Sequence, residues 1–431
     1  MSAVSLQSSR LSLWRRRLGA ASGLESPLVA FLGATLLVRV LTDDLSSPDS
    51  RHSGSLNLSG AIAVLFILVA GGLLLRRRRG VPATVLAVLW LCVWTAIAVN
   101  TSGASTETLR EGVRELSVVA LAVIVYNARS AVTVPIAARL VQLVGFAPAL
   151  LALYQLATHT GMDVGGQLRS NGTFAQPNSA VMFFAIALTA SLWRYLDYGR
   201  RRSDALLVTL FAAAVISTFS IDGLITLLAM MVAFGALHPG PLRVKLVPYM
   251  VGGLVVLVFF ATPLGAQRLV KESSTSVATA EGQKPNTDLA WRLHKWKTLI
   301  PDWERSPLFG QGLGTTTTEE GGDEFAGTPP LNEYVRYLVE TGVVGFVILL
   351  GALAVLVRSL LRKRRIPGTL DAGTFNAATF ALVVIAGCLV NSLADNTLLN
   401  SPTSYAAVLI VVAVLSLPGI EMQRAPTPQA T

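Results

Sequence analysis

The sequence predicts an all-α, polytopic membrane protein with about twelve transmembrane helices and one large outer loop that contains an amphipathic helix. Hydrophobic residues make up 52% of the 431 residues, charged residues make up 14%, and the mean hydropathy is +0.58. A soluble chain is roughly a quarter charged. The apolar residues lie in stretches long enough to cross ~30 Å of hydrocarbon as helices of ~20 residues. A soluble enzyme, a nucleic-acid-binding factor and a disordered scaffold are therefore excluded.

The expected spans divide the chain into five regions. They run over residues 26–42, 56–75, 81–99, 113–126, 132–157, 177–197, 204–219, 223–237, 246–262, 335–357, 372–393 and 403–418. The regions are a basic N-terminus (1–25), spans one to nine (26–262), a large loop (263–334), spans ten to twelve (335–418) and a C-terminal tail (419–431). Because the number of spans is even, both termini lie on the same side of the membrane.

The distribution of basic residues predicts which side that is. With the N-terminus in the cytoplasm, 21 basic residues lie inside and 12 lie outside, seven of them in the large loop. Cytoplasmic connections carry an excess of Lys and Arg, and short connections carry most of this signal. We therefore expect both termini in the cytoplasm and residues 158–176 and 263–334 outside. Topology accounts for the net charge of +10 without a nucleic-acid partner.

The large outer loop contains a sequence with helical periodicity. One apolar stripe is formed by Leu289, Leu293, Trp296, Ile300 and Trp303. Their spacings of 4, 3, 4 and 3 residues are those of one helix face. Thr287 is a plausible N-cap and Pro301 lies near the end of the helix. Such a helix lies on the outer membrane interface or packs on the transmembrane bundle, and the sequence leaves both alternatives open.

The candidate chemistry also lies outside, where neither ATP nor nucleotide sugars are available. An enzyme on that face needs a substrate that is already energised and is delivered through the membrane. A polyprenyl-linked sugar meets this requirement. The expected location is the bacterial cytoplasmic (inner) membrane, with the active site facing outside.

Two outer regions carry motifs. Residues 168–174 read LRSNGTF and are followed by Gln176, Pro177 and Asn178 at the start of a span. Trp291, Arg292 and Trp296 precede the segments SPLFGQGLG (306–314) and LNEYVRYLVETG (331–342). These segments resemble the Arg-x-x-Gly-Thr-Phe…Pro-Asn and His-Asn-x-Tyr-Leu-x-x-Leu-x-Glu-x-Gly patterns of the O-antigen ligase and O-antigen polymerase superfamily. Twelve spans with one large outer loop before the tenth are also that family's plan.

The resemblance implies a glycosyltransferase of the ligase or polymerase type. It would transfer a glycan from a polyprenyl-pyrophosphate donor to a hydroxyl of a glycan or lipid-glycan acceptor, with no cofactor and no metal. Arg169 and Arg292 match the arginines that hold the donor pyrophosphate in the family, and guanidinium groups bind phosphate oxygens bidentately. Four further residues match motif positions with a structural role: Gly172, Asn178, Asn332 and Glu340.

The chain departs from the family pattern at two places. Leu331 stands where the family has a histidine, and Ser220-Ile221-Asp222-Gly223 stands where the family often has Ser-Arg-Gly. The first departure leaves the general base open. Glu333, two residues beyond Leu331, and His294, two residues beyond Arg292, are the candidates.

Two alternatives belong to other functional classes. Asp43-Asp44 in the first outer connection resembles the acidic pair of metal-dependent glycosyltransferases that use polyprenyl-monophosphate sugars. The other alternative is a non-enzymatic glycolipid transporter. The sequence also leaves open ligase against polymerase, and an inactive relative that lacks the histidine.

Overall fold

The computed structural model describes residues 25–44, 58–77, 81–102, 106–164, 166–197, 201–273, 288–317, 329–364 and 372–417. The basic N-terminus up to residue 24, the C-terminal tail, the middle of the large loop and the expected N-cap Thr287 lie outside these ranges.

The described residues form fourteen α-helices and one short hairpin. The helices are α1 (Glu25–Leu41), α2 (Leu58–Arg77), α3 (Val81–Ser102), α4 (Thr106–Asn127), α5 (Val134–Thr158), α6 (Pro177–Asp197), α7 (Arg202–Ser217), α8 (Ile221–Leu237), α9 (Leu242–Ala261), α10 (Pro263–Ser273), α11 (Asp288–Arg305), α12 (Glu333–Arg364), α13 (Ala372–Asn391) and α14 (Ser401–Leu415). Strands β1 (Met162–Asp163) and β2 (Leu168–Arg169) pair antiparallel between α5 and α6. A single 3₁₀ turn covers Thr315–Thr317.

Each of the twelve expected spans falls on one of these helices, and α11 is the expected amphipathic helix. Six helices (α2, α3, α5, α6, α9 and α12) are long and apolar enough to cross a membrane. Shorter apolar helices lie within α1, α8, α13 and α14. The all-helical, polytopic membrane class is thus confirmed, while the number of twelve spans and the position of the outer loop stay predictions.

Helix α6 is the centre of the bundle. It packs against α5, α7, α8, α13 and α14, and 83% of its apolar window is buried inside the protein. Trp193 of α6 stacks on Phe380 of α13 with ring centroids 5.0 Å apart. The helix begins at Pro177 and Asn178, so the first sequence motif lies at the start of the most enclosed helix.

One end of the bundle is tied by basic and amide side chains. Arg194 donates to Asp204 at 3.2 Å, and Asn376 donates to Asp197. At the end of α12, Arg364 donates to the Leu237 carbonyl and Lys363 donates to the Leu417 carbonyl. These contacts join α6, α7, α8, α12, α13 and the end of α14. This is the end that the charge bias assigns to the cytoplasm, and the sequence motifs all lie at the opposite end.

The glycine-rich segment 306–314 crosses helix α12 at a kink. Gly342 has φ 62° and ψ −173° inside the helix, a region open essentially to glycine. A Cβ on Gly342 would lie 2.4 Å from the Leu308 carbonyl carbon. Trp94 of α3 donates its indole N–H to the Phe309 and Thr341 carbonyls at 3.0 Å. Segment 306–314 therefore crosses α12 at this kink, and the crossing fixes the large loop against α12.

Candidate functional site

The motif of residues 168–174 forms a tight turn against α5. Gly172 has φ 59°, and a Cβ there would lie 2.7 Å from the Pro148 carbonyl oxygen. The Gln155 Oε1 accepts the backbone N–H groups of Asn171 at 3.0 Å and of Gly172 at 2.8 Å. Thr173 donates its hydroxyl to a carbonyl at the end of α1. The motif thus fixes the backbone that carries Arg169.

The Arg169 side chain is buried at the N-terminus of α8. Its Nε donates to the Thr218 carbonyl at 2.9 Å, and its Nη2 donates to Asn178 Oδ1 at 2.7 Å. Asn178 Oδ1 also accepts the Ser220 hydroxyl at 2.9 Å. Ser220 is the N-cap of α8, where its Oγ accepts the Gly223 N–H. Arg169, Asn178 and Ser220 therefore form one network across the starts of α6 and α8.

Arg292 reaches the same helix from the large loop. It lies on α11, is 5% exposed and pairs with Asp222 in the first turn of α8 at 2.5 Å. Asp222 belongs to the segment where the chain departs from the family pattern. Both arginines therefore reach the N-terminal end of α8. Arg169 is linked to Ser220 through Asn178, and Arg292 pairs with Asp222.

Helix α11 turns Arg292 and Lys295 toward the protein, whereas Lys297 and Arg305 are exposed. Arg292 and Lys295 are buried together with Ala290 and Leu299. Two members of the expected apolar stripe face outward, since Leu289 is 43% exposed and Ile300 is 50% exposed, whereas Trp296 is half-buried and donates its indole N–H to the Pro330 carbonyl at 2.7 Å. This arrangement suits a helix at the membrane interface, which buries its apolar face among lipids. Arg292 and Lys295 lie on the inner face of the helix.

The geometry concentrates positive charge at the N-terminal turn of α8. A helix N-terminus carries a partial positive charge and unsatisfied N–H groups, which favour bound anions. Two guanidinium groups add to it, and Asp222 is the acidic partner of one of them. An anion at this turn competes with Asp222 for Arg292.

Glu333 lies at the start of α12 in a buried ion-pair cluster. Its Oε1 pairs with Arg336, and its Oε2 accepts the Leu398 N–H at 3.2 Å. Arg336 is fully buried and also pairs with Glu111 at 2.6 Å and with Glu115 at 3.1 Å. Both oxygens of Glu333 are therefore hydrogen-bonded.

Asn332 and Leu331 shape the entry into α12. Asn332 Oδ1 accepts the N–H groups of Tyr334 and Val335, and its Nδ2 donates to the Leu393 carbonyl at 3.0 Å. Leu331 has φ 49°, a conformation in which Asn, Asp and His are enriched over aliphatic residues. The position where the family has a histidine thus has the backbone geometry that suits one.

The remaining residues singled out from the sequence are Glu340, His294 and Asp43. Glu340 is buried and accepts the Thr316 hydroxyl at 2.6 Å. His294 is exposed on α11 and is turned about 200° away from Arg292. Asp43 pairs with Arg39 at 2.6 Å and accepts the Ala175 N–H at 3.1 Å. The described residues contain no group of three His, Cys, Asp or Glu side chains arranged to hold a metal ion.

Three features around this site were not predicted from the sequence. The pairing of Asp222 with Arg292 joins residues 70 positions apart. The Arg336 cluster takes two carboxylates from α4, and the spacing of four between Glu111 and Glu115 was the available signal. The polar segment 391–400 between two apolar helices was the third, and its composition, NSLADNTLLN, could have marked it.

The described residues form a polytopic membrane bundle of apolar helices with a buried polar cluster at one end. Residues 205–350 match the family model for O-Antigen ligase, Wzy_C. The match confirms the resemblance to the O-antigen ligase and polymerase superfamily. It covers Asp222, Arg292, Glu333 and Glu340, whereas Arg169 precedes it. A comparison with curated proteins gives no match.

Proposed function

We propose that the protein is a glycan ligase or polymerase of the bacterial cytoplasmic membrane. It transfers a glycan from a polyprenyl-pyrophosphate donor to a hydroxyl of a glycan or lipid-glycan acceptor on the outer face. The observation that carries the proposal is the meeting of Arg169 and Arg292 at the first turn of α8. The family match over residues 205–350 supports the same class of reaction.

The donor pyrophosphate suits this turn of α8. Breaking the anomeric bond leaves the electron pair and the negative charge on the pyrophosphate. One pair of opposite charges at 4 Å contributes about 4 kcal/mol at an effective dielectric constant near 20. Two guanidinium groups and the helix N-terminus stabilise that charge more as it develops, which lowers the barrier. In this scheme Arg292 exchanges Asp222 for the phosphate oxygens and no metal is needed.

The acceptor hydroxyl requires a base, and Glu333 and His294 are the two candidates predicted from the sequence. Glu333 lies at the start of α12, where its ion pair with Arg336 stabilises the charged carboxylate and so makes it a weaker base. His294 is exposed and approaches the acceptor only from the outer surface of α11. Substitution of each by Gln removes the proton acceptor and keeps a side chain of similar size.

Reconstitution in proteoliposomes tests the proposed function. The donor is an undecaprenyl-pyrophosphate-linked oligosaccharide, and the acceptor is the glycolipid fraction of the producing cells. We expect a new glycosidic bond and one undecaprenyl pyrophosphate released per bond, both unchanged by a chelator. Lipid translocation without a new bond would identify a transporter. Activity that requires Mg²⁺ or Mn²⁺ and is lost in Asp43→Ala would identify the metal-dependent class.

A further inference from the structure

The segment between α13 and α14, residues 391–400, lies among the elements that carry the motifs. The Asn391 Oδ1 accepts the Thr226 hydroxyl of α8 at 3.5 Å. The Leu393 carbonyl of the segment accepts a hydrogen bond from the Asn332 side-chain amide, and the Leu398 N–H donates to Glu333. These two bonds fix the segment to the start of α12. Directly after it, α14 contacts the start of α6 through Thr403 and the Ser179 carbonyl at 3.4 Å.

Asp395 lies in this segment, close enough to Arg292 and Asp222 for their charges to act on its carboxyl. It is 5% exposed and accepts the Asn396 N–H at 2.7 Å and a hydrogen bond from the Asn391 side chain. Burial raises the pKa of the Asp395 carboxyl to about 6; the positive charge of Arg292 opposes this rise and the negative charge of Asp222 adds to it. Among the described residues, Glu333 also contacts this segment, through the Leu398 N–H, and it shares Arg336 with Glu111 and Glu115.

Asn396 is buried beside Asp395 with its side chain unused. It is 3% exposed, and neither its Oδ1 nor its Nδ2 has a hydrogen-bond partner among the residues that the structure describes. An unsatisfied buried polar group of this kind costs about 1–3 kcal/mol. An amide offers two donors and one acceptor oxygen, which matches a hydroxyl that both donates and accepts. Together with the carboxylate, it forms a pair of groups suited to adjacent sugar hydroxyls.

We propose that Asp395 and Asn396 form the acceptor-sugar subsite of the proposed transferase. Asn396 hydrogen-bonds a hydroxyl of the acceptor sugar, and Asp395 takes the proton of the attacking hydroxyl. The acceptor oxygen forms the bond to the anomeric carbon, and the bond from that carbon to the pyrophosphate oxygen breaks with its electron pair. The proton ends on Asp395, and the pyrophosphate charge ends beside Arg169 and Arg292.

Asp395 fits the role of the base better than the two candidates from the sequence. It shares neither the ion pair that engages Glu333 nor the outward position of His294. The charge of Arg292, which is proposed to bind the donor, acts on the Asp395 carboxyl, and Asn391 of the same segment contacts Thr226 of α8. The inference rests on the proposed function, since it assigns a part of the same reaction.

The test compares Asp395→Asn, Asn396→Ala, Glu333→Gln and His294→Gln in the full-length reconstituted protein. We expect Asp395→Asn to lower the transfer rate by about 10²–10⁴-fold and to remove the acid limb of the pH–rate profile near pH 6. Asn396→Ala should raise the acceptor KM by about tenfold with a smaller effect on kcat. Both should bind undecaprenyl pyrophosphate as the wild type does. Asp302→Asn, a surface substitution on α11 that removes an ion pair with the exposed Arg305, is the matched control.

Thermal stability separates a functional role from a structural one. Burial raises the pKa of Asp395 above its ordinary value of 3.8 to about 6, so stability falls as the pH rises between these two values and the buried carboxylate becomes charged. Asp395→Asn should therefore raise Tm at pH 7.5 relative to pH 5, whereas a structural carboxylate would lower Tm on substitution. A lower Tm with loss of undecaprenyl pyrophosphate binding would overturn the inference.

The inference also fails if Asp395→Asn transfers glycan within a few fold of the wild type while Glu333→Gln or His294→Gln does not. The proposed function would survive that result, because wild-type binding and transfer would still be present. A wild-type protein that neither binds undecaprenyl pyrophosphate nor transfers glycan would overturn the proposed function and this inference together.

Discussion

At the scale of single residues, Arg336 is the buried cation that compensates a cluster of buried carboxylates. It is fully buried and contacts Glu111, Glu115 and Glu333, with Glu340 at 3.7 Å. Buried carboxylates are tolerated where a cation and hydrogen bonds compensate their desolvation. Arg336 therefore joins α4 to α12 and holds the start of α12, which lies beside the site.

Replacement of Arg336 tests this role. Arg336→Met keeps much of the volume but leaves buried carboxylates without their cation, and such a loss costs about 3–5 kcal/mol. We expect a large fall in Tm in detergent and poor expression. Arg305→Met is the matched control, because the Arg305 side chain is 74% exposed and pairs on the surface, where an ion pair contributes about 0–1 kcal/mol. Equal Tm values for the two variants would contradict the role.

The sequence predicted the site residues that belong to local motifs, but it did not predict their distant partners. Arg169 and Arg292 were singled out from motifs, and both are buried at one turn of α8. The Thr218 carbonyl that accepts from Arg169 lies 49 positions along the chain, and Asp222 lies 70 positions from Arg292. Such pairings depend on the packing of the helices and have no signature in local spacing.

At the scale of elements, the crossing of segment 306–314 over α12 fixes the large loop against the bundle. Gln311 N–H donates to the Val339 carbonyl at 3.0 Å, and Gly312 N–H donates to the Glu340 carbonyl at 2.8 Å. The kink at Gly342 exposes these carbonyls to the crossing chain. The sequence predicted both helices and the glycine-rich segment, but it gave no indication that the segment pairs with a kinked helix.

Two glycines on the same helix provide a matched comparison. Gly342→Ala places a Cβ 2.4 Å from the Leu308 backbone in a glycine conformation, so we expect a fall in Tm and loss of glycan transfer. Gly351→Ala meets nothing within 4 Å and gains helix propensity of about 1 kcal/mol. We expect a Tm equal to or above that of the wild type. A harmless Gly342→Ala would show that the kink is dispensable.

At the scale of the whole molecule, polar groups separate to the two ends of an apolar bundle. The helices followed from hydropathy because each span is a local run of apolar residues. The order in which the helices surround α6 could not be predicted from hydropathy, since the apolar surfaces of the helices are alike in composition. The charge bias adds a direction, which places the site end outside.

Cysteine labelling in intact cells tests that direction. Cys92 and Cys388 are first replaced by Ser, and then one exposed residue is changed to Cys at each end. Glu304 on α11 and Ser203 on α7 are both exposed. A membrane-impermeant maleimide should label Glu304→Cys and label Ser203→Cys only after the cells are opened. The reverse pattern would place the site in the cytoplasm and exclude the proposed reaction.

The central claim, that Arg169 and Arg292 bind the donor pyrophosphate, is tested most directly by donor turnover in two lysine variants. Lysine keeps the charge but loses the planar, bidentate guanidinium. Arg169→Lys and Arg292→Lys should each lower the release of undecaprenyl pyrophosphate by about 100-fold at normal expression, whereas Arg305→Lys on the exposed side of α11 should match the wild type. Wild-type turnover in both site variants would contradict the claim.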